Sequence, residues 1–153
     1  MEKTLIIFKP SAIERGLVGE ILSRFERKRL FLKGLKMIQL SDAILNEHYV
    51  HLKDKPFFES LKEAMQNTPV IVCCFEGKDV VQVVRNMCGT TNARDAQPGT
   101  IRGDYGMSVV RNIIHASDTI KNAEIEVNRF FNPEELFTYR PSNIGFYYGI
   151  DEI

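Results

Sequence analysis

Two short, continuous apolar runs constrain the fold of this chain most strongly. They are residues 4–8 (TLIIF) and 70–75 (VIVCCF), and neither is interrupted by a charged residue. Runs rich in branched side chains without a polar alternation are typical of strands covered on both faces. We therefore predict that these segments form central strands of one sheet.

Amphipathic segments alternate with these runs. Residues 16–29 place apolar side chains at helical spacing and charged side chains on the other face, which predicts a helix packed on the sheet. The pattern predicts further helices over residues 43–52 after the capping pair Ser41-Asp42, over residues 56–65, around residues 80–87 and around residues 123–131. Weaker strand patterns cover residues 32–40 and 112–115. The alternation indicates an α+β sandwich, with helices against one sheet.

The length of 153 residues suits one domain spanning residues 1–153. The chain shows no repeat, low-complexity tract or linker. Residues 89–106 lose periodicity and accumulate Gly, Thr, Asn, Asp and Pro, which predicts a long loop, a type of segment that is usually functional or disordered. We expect an irregular tail from residue 132 onward.

The charge balance excludes a strong bulk field. Lys plus Arg equals Asp plus Glu at 20 each, so nothing draws the whole protein to nucleic acid or to an anionic membrane. The first apolar run is too short for a signal peptide or a membrane span, so we predict a cytoplasmic protein. The three cysteines, Cys73, Cys74 and Cys88, have neither a disulfide pattern nor metal-ligand spacing, and we expect reduced, buried thiols.

Common catalytic motifs are absent from the sequence. Gly77-Lys78 is followed by Asp79, and Val72 occupies the place of the first P-loop glycine. No G-x-G-x-x-G follows a strand, and the segment that starts at Gly106 lacks the final glycine of a nucleophile elbow. The sequence therefore excludes a P-loop enzyme, and dinucleotide-binding and hydrolase functions lose their main support.

The three histidines differ in their surroundings. His48 and His51 lie three residues apart on a predicted helix without further metal ligands nearby, which favours a solvated helix face. His115 ends a short apolar run and precedes small and polar residues, so it is predicted at a strand edge facing a cleft. From position alone a structural histidine would still be favoured.

Basic residues change that interpretation. Arg85, Arg94, Arg102 and Arg111 cluster around the long loop, and Lys9 ends the first strand. The planar guanidinium group suits phosphate oxygens. A pocket for polyphosphate explains this cluster together with His115, although arginines alone would fit a solvated loop equally well.

Several separated motifs resemble those of the nucleoside diphosphate kinases. They are NIIHASD at residues 112–118, PGTIRGD at 98–104, RGLVGEI at 15–21, HY at 48–49 and KPFF at 55–58. The likeness runs from residue 4 to about residue 136 and leaves residues 137–153 as a divergent tail. It implies a ferredoxin-like βαββαβ core and Mg²⁺-dependent exchange of the terminal phosphate between nucleoside triphosphates, typically ATP, and nucleoside diphosphates.

The resemblance also implies residue roles. His115 would be phosphorylated, Glu126 and Ser117 would support its ring, and Tyr49 would lie beside the transferring phosphate. The phosphates would be bound by Arg85, Thr91 and Arg102. The sugar would be bound by Lys9 and Asn112, and the base would stack on Phe57 with Val109 and Leu61. Mg²⁺ would be carried on the nucleotide's phosphates rather than in a protein metal site. A homo-oligomer is implied, and the full-length loop containing Pro98 favours a hexamer over a tetramer.

The chemistry of histidine suits this assignment. An unperturbed imidazole has a pKa of about 6.5, so such a side chain is largely neutral and nucleophilic at pH 7. A covalent phosphohistidine divides the transfer into two in-line steps at one site and predicts ping-pong kinetics.

Some residues depart from the family pattern. Ser11-Ala12 replaces the usual Asp-Gly, Ala116 replaces a Gly, and Thr119 replaces a Ser; these changes are conservative. Thr90 and Ala93 replace the common Glu and Pro, so we expect a differently shaped loop there. Two alternatives remain from the sequence: a regulatory protein without turnover, and a nucleic-acid-binding module, which the neutral net charge disfavours.

Overall fold

A four-stranded antiparallel sheet forms the centre of the computed structural model, which describes residues 1–152. Its strands are β1 (Glu2–Phe8), β2 (Phe31–Ile38), β3 (Val70–Gly77) and β4 (Ile114–Ala116). The strand order is β2-β3-β1-β4, and all three neighbouring pairs are antiparallel. The two continuous apolar runs lie in β1 and β3, so their prediction as central strands is confirmed.

Within residues 1–152, seven α-helices surround this sheet. They are α1 (Pro10–Glu14), α2 (Val18–Arg27), α3 (Asp42–His48), α4 (Phe58–Gln66), α5 (Val80–Cys88), α6 (Ile101–Tyr105) and α7 (Ile120–Phe130). Helix α2 connects β1 to β2, and α5 connects β3 to β4. The predicted ferredoxin-like βαββαβ core is therefore confirmed.

Both faces of the sheet are buried, which explains the unbroken apolar runs. Ile6 and Phe8 of β1 pack into one core with residues of α2 and α5. Leu5 and Ile7, on the opposite face, pack into a second core with residues of α3, α4 and α7. All three cysteines are buried and free, as predicted.

The segment predicted as a structureless loop contains short helices. Residues 93–95 form a 3₁₀ turn, and α6 follows with Thr100 as its N-cap, whose side chain accepts a hydrogen bond from the Gly103 N–H. A Cβ atom at Gly103 would lie 2.0 Å from the Gln97 carbonyl oxygen, so this loop closes on itself too tightly for any other residue. Local capping and backbone contacts stabilise these turns, and they leave no apolar periodicity in the sequence.

Other observed helix boundaries differ by a few residues from the predicted ones. The helix predicted over residues 43–52 ends at His48 and continues as a 3₁₀ turn (Val50–Leu52), whereas the predicted Ser41 cap is present. Helix α1 was not predicted, although Pro10 at its first position is a helix-start signal.

The tail is irregular, as predicted, and contains only short 3₁₀ turns among residues 132–152. Two hydrogen bonds connect the tail to β2: the Phe137 N–H donates to the Lys33 carbonyl, and the Tyr139 hydroxyl donates to the Leu32 carbonyl. None of the helices within residues 1–152 combines the length and apolar character needed to cross a membrane.

Candidate active site

His115 lies in the middle of β4, opposite Ile7 of β1, rather than at a strand end. This register places it on the sheet face that α3, α4 and α7 cover. The backbone enters β4 through Ile113, whose φ of 76° is in the left-handed region. A β-branched residue is strained there, and such strain persists only where surrounding contacts enforce it.

Arg102 supplies those contacts. Its guanidinium donates to the carbonyls of Asn112 (3.3 Å) and Ile114 (2.7 Å), on either side of Ile113, and to the Gly89 carbonyl (2.8 Å). Arg102 is almost completely buried, and burial lowers its pKa. Three of its five N–H groups are thus used to hold the backbone, and two remain for a ligand.

Glu126 of α7 connects the histidine to Ser117. Its Oε2 lies 3.2 Å from His115 Nε2 and accepts a hydrogen bond from Ser117 Oγ at 2.6 Å. Burial opposes ionisation of this carboxyl group, but the hydrogen bonds from His115 and Ser117 prevail and lower the pKa of Glu126. Since a carboxylate only accepts, His115 carries its proton on Nε2, and Nδ1 keeps its lone pair.

Nine of the ten predicted site residues line a single cavity of about 610 Å³. They are Lys9, Tyr49, Phe57, Arg85, Thr91, Arg102, Asn112, His115 and Glu126. The tenth, Ser117, is fully buried behind Glu126. Val109 and Leu61, predicted beside Phe57, also line this cavity.

Lys9 and Asn112 form one polar wall of the cavity. Lys9 Nζ donates to Asn112 Oδ1 at 2.6 Å and to the Val110 carbonyl at 3.2 Å, while the Asn112 amide donates to the Thr91 carbonyl at 2.9 Å. Burial, with the charge of Arg102, lowers the pKa of Lys9 to about 7. The free cavity therefore holds an amine that is poorly solvated, only partly protonated near pH 7, and without a carboxylate partner within residues 1–152.

Only part of the predicted arginine cluster reaches the cavity. Arg85 and Arg102 line it. Arg94 instead donates to the Met107 carbonyl, and Arg111 is exposed beside a second, much smaller cavity. Phe57 is 43% exposed at the cavity wall, so one ring face is free for stacking.

The prediction that His48 lies on a solvated helix face is wrong. His48 is 5% exposed and lines the cavity, whereas His51 is exposed at the cavity wall. The available signal was the apolar face of α3, because Ile44 and Leu45 precede His48 by four and three residues. Tyr49 is also buried, and its hydroxyl has no hydrogen-bond partner within residues 1–152.

Among residues 1–152, His48, His115 and Glu126 lie close enough together to consider a metal ion. Most of their lone pairs are already used, however, and of the two histidines only His115 keeps a free one, on Nδ1. Arg129 Nη1 donates to His48 Nδ1, and Ser117 and His115 donate to Glu126. The guanidinium charge beside His48 also opposes a cation, so the arrangement favours a phosphate ligand over a resident metal.

Comparison with known proteins decides the family. The sequence profile described as "Nucleoside diphosphate kinase" matches residues 2–136. The chain belongs to the nucleoside diphosphate kinase family. It is 59% identical to a nucleoside diphosphate kinase of Parabacteroides distasonis over 152 residues, covering 99% of both chains. It is 50% identical to nucleoside diphosphate kinase B of Bos taurus, covering 92% of both.

The fold of this chain also agrees with solved structures of nucleoside diphosphate kinases. A halophilic nucleoside diphosphate kinase from Halobacterium salinarum, in complex with CDP, superposes with a TM-score of 0.93 at 38% identity, covering 96% of this chain and 98% of that one. The protein is thus a nucleoside-diphosphate kinase that acts on nucleotides. This finding disfavours the regulatory and nucleic-acid-binding alternatives.

Proposed function

We propose that this nucleoside diphosphate kinase transfers phosphate through His115 Nδ1. The hydrogen bond between His115 Nε2 and Glu126 carries this proposal, since it directs the free lone pair of the ring to Nδ1. Nδ1 attacks the terminal phosphorus of a nucleoside triphosphate, the bond to the β-phosphate oxygen breaks, and the nucleoside diphosphate leaves. A second nucleoside diphosphate then takes the phosphate from Nδ1 by the reverse step.

Glu126 and Ser117 support the ring during both steps. Formation of the N–P bond draws electron density from the imidazole, and the adjacent carboxylate stabilises the resulting positive charge. Ser117 Oγ, held also by the Leu5 N–H at 3.1 Å, keeps Glu126 in place. No separate base is needed, because Nδ1 is unprotonated from the start.

The basic residues of the cavity neutralise the phosphates. Arg85, the two free N–H groups of Arg102 and Thr91 would bind phosphate oxygens, while Lys9 and Asn112 would bind the sugar and its 3′-hydroxyl. Phosphoryl transfer depends mainly on such positioning and charge compensation. Tyr49, with its unpartnered hydroxyl in the same cavity, would donate to the transferring phosphate.

Magnesium would enter as part of the substrate. Of the three carboxylates that line the cavity, Glu47 pairs with Arg129 and Glu126 with Ser117 and His115. Asp118 alone, bonded to Asn122, does not make the oxygen cage that Mg²⁺ requires. The ion therefore fits best on the nucleotide's own phosphates.

Phe57 would stack on the base, together with Val109 and Leu61. Stacking on an aromatic ring reads no hydrogen-bond pattern, so we expect nucleotides with different bases to be accepted. The CDP complex of the Halobacterium salinarum relative supports binding of a nucleoside diphosphate by this chain.

The test is transfer of label. The purified enzyme is incubated with terminally labelled ATP and Mg²⁺, freed of nucleotide, and given GDP. We expect label on the wild-type protein, its loss to GDP, and no label on a folded His115→Gln variant that still binds ADP. Equal labelling of that variant would refute the role of His115.

We also propose a homo-oligomer, with a hexamer favoured, in the cytoplasm. Strand β2 lies at the sheet edge and exposes Leu35 (46%) and Met37 (57%) on the same side, an arrangement that favours pairing with another copy. Light scattering tests the assembly: a hexamer mass is expected, and a monomer mass would contradict association.

A further inference from the structure

His48 is a buried ionisable group beside the nucleophile for which the reaction as proposed has no use. It is the last residue of α3, and its side chain is 2% exposed. Its ring meets three other rings, those of Tyr49, His115 and Phe130. A histidine so enclosed contributes by its shape and its hydrogen bonds rather than by exchanging protons with solvent.

The contact with His115 has a defined geometry. The two ring centroids are 4.6 Å apart and the ring planes meet at 76°, an edge-to-face arrangement. Glu126 restrains His115 through Nε2 alone, and one hydrogen bond leaves the ring free to swing about that contact. The perpendicular ring of His48 removes this freedom, because a tilted His115 would collide with it.

His48 is itself held in one orientation. Arg129 Nη1 lies 3.2 Å from His48 Nδ1, and Arg129 Nε donates to Glu47 at 2.8 Å. A guanidinium group only donates, so Nδ1 must be the acceptor and a neutral His48 carries its hydrogen on Nε2. The tautomer of His48 therefore follows from the position of Arg129, and its ring plane is fixed by this hydrogen bond together with the rings of Tyr49 and Phe130.

The surroundings keep His48 neutral. Burial, followed by the charges of His115, Arg129 and His51, lowers the pKa of His48 to about 3, although Glu126 acts in the opposite direction. Tyr49 is neutral because burial raises its pKa. A neutral imidazole next to Glu126, whose Oε1 is 3.9 Å from His48 Nδ1, leaves that carboxylate's charge available to His115.

We propose that His48 is a positioning residue that fixes the ring plane of His115 for in-line attack through their edge-to-face contact, with Arg129 holding His48 in its orientation. The inference rests on the proposed function, since it concerns the nucleophile of that reaction. A small error in the direction of Nδ1 lowers the rate of transfer strongly without changing how the nucleotide binds.

Three variants test this role. His48→Leu removes the ring. The double variant His48→Phe/Arg129→Met keeps a ring and removes the guanidinium charge that would otherwise be left without its hydrogen-bond partner. Phe130→Leu is a packing control, because it removes another ring that contacts His48. Labelling of His115 is measured at saturating ATP and, separately, with phosphoramidate, a phosphodonor without a nucleoside. ADP affinity and melting temperature are measured for each protein.

We expect His48→Leu to lose about tenfold or more in the labelling rate with both donors, while ADP affinity changes by less than about threefold. The double variant should recover to within about threefold of wild type, and Phe130→Leu should lower the melting temperature with little change in rate. A wild-type rate in His48→Leu, or an equal loss in Phe130→Leu, would overturn the inference while leaving the role of His115 intact. Absence of label on wild type would overturn both.

A spectroscopic measurement does not depend on whether the variants fold. In the wild-type enzyme with ¹⁵N-labelled histidine, we expect His48 to show an unprotonated Nδ1 and a protonated Nε2 that do not titrate between about pH 5 and 8. A proton on His48 Nδ1, or titration in that range, would show that Arg129 does not hold the ring as described.

Discussion

Replacement of Arg102 by Met tests how the strained entry to β4 is maintained. The guanidinium donates to three backbone carbonyls, two of which flank Ile113 with its φ of 76°. Hydrogen bonds from a charged donor contribute about 1.5–3 kcal/mol each, so the gross loss from three of them is roughly 4.5–9 kcal/mol. Relief of the cost of burying a cation offsets part of this loss, which leaves an expected destabilisation of about 3–5 kcal/mol.

Unfolding by urea, followed by far-UV circular dichroism, measures the free energy of unfolding, and unfolding by heat gives the melting temperature. For a chain of this size, each kcal/mol lowers the melting temperature by about 2–4 °C, so a fall of about 6–20 °C is expected. All proteins must be compared at one concentration, because assembly adds to apparent stability. Turnover should fall as well, since Ile113 can relax and move His115.

Arg85→Met is the matched control. Arg85 lines the same cavity, but its side chain makes no hydrogen bond with residues 1–152 and it is only partly buried. Its replacement should weaken ADP binding while changing the free energy of unfolding by less than about 1 kcal/mol. If Arg102→Met were as stable as Arg85→Met, the three carbonyl contacts would not be what holds the segment before His115.

Further predictions concern ionisation and packing. The pKa of Lys9 is about 7 in the free enzyme, and phosphate favours its charged form, so ADP binding above about pH 7 should take up a proton. Calorimetry in buffers of different ionisation enthalpy detects this proton uptake, and Lys9→Met should abolish the uptake. The unfolded chain protonates His48 near pH 6.5 and the folded form only near 3. The free energy of unfolding should therefore fall as pH drops through that interval, by up to about 1.4 kcal/mol per pH unit, and the slope should flatten in the double variant His48→Phe/Arg129→Met. Burial raises the pKa of the three thiols to about 11–12, so a thiol reagent should label them only in denaturant. Gly103→Ala should cost about 1–3 kcal/mol and weaken ADP binding, because its Cβ would meet the Gln97 carbonyl.

Each of these has a contradicting result. Buffer-independent binding enthalpy would show that Lys9 is already charged, and a pH-independent unfolding free energy between pH 6.5 and 3 would show that His48 is accessible to protons in the folded state. Rapid thiol labelling without denaturant would contradict the burial of the cysteines. Unchanged stability of Gly103→Ala would show that the loop tolerates a wider turn.

The sequence by itself predicted the central strands, the crossover helices and the residues of the candidate site. A continuous apolar run indicates a strand buried on both faces, and apolar residues at helical spacing indicate a helix with one buried face, because these patterns follow from backbone geometry. The motifs shared with the family indicated all ten site residues, and nine of them line one cavity. Their individual roles stay predictions until the variants are measured.

Only the tertiary structure decided which polar groups meet. Arg94 and Arg102 look alike in the sequence, yet one is bonded to the exposed Met107 backbone and the other holds the strand of His115. For His48, the spacing from Ile44 and Leu45 indicated a buried helix face, but only the structure shows that its ring contacts His115. Hydrogen bonds between residues distant in the chain, such as Arg129 to His48 and Lys9 to Asn112, are set by how α7, α3, β1 and the segment before β4 converge. Local sequence patterns do not predict how these elements converge, since this depends on the packing of the whole chain.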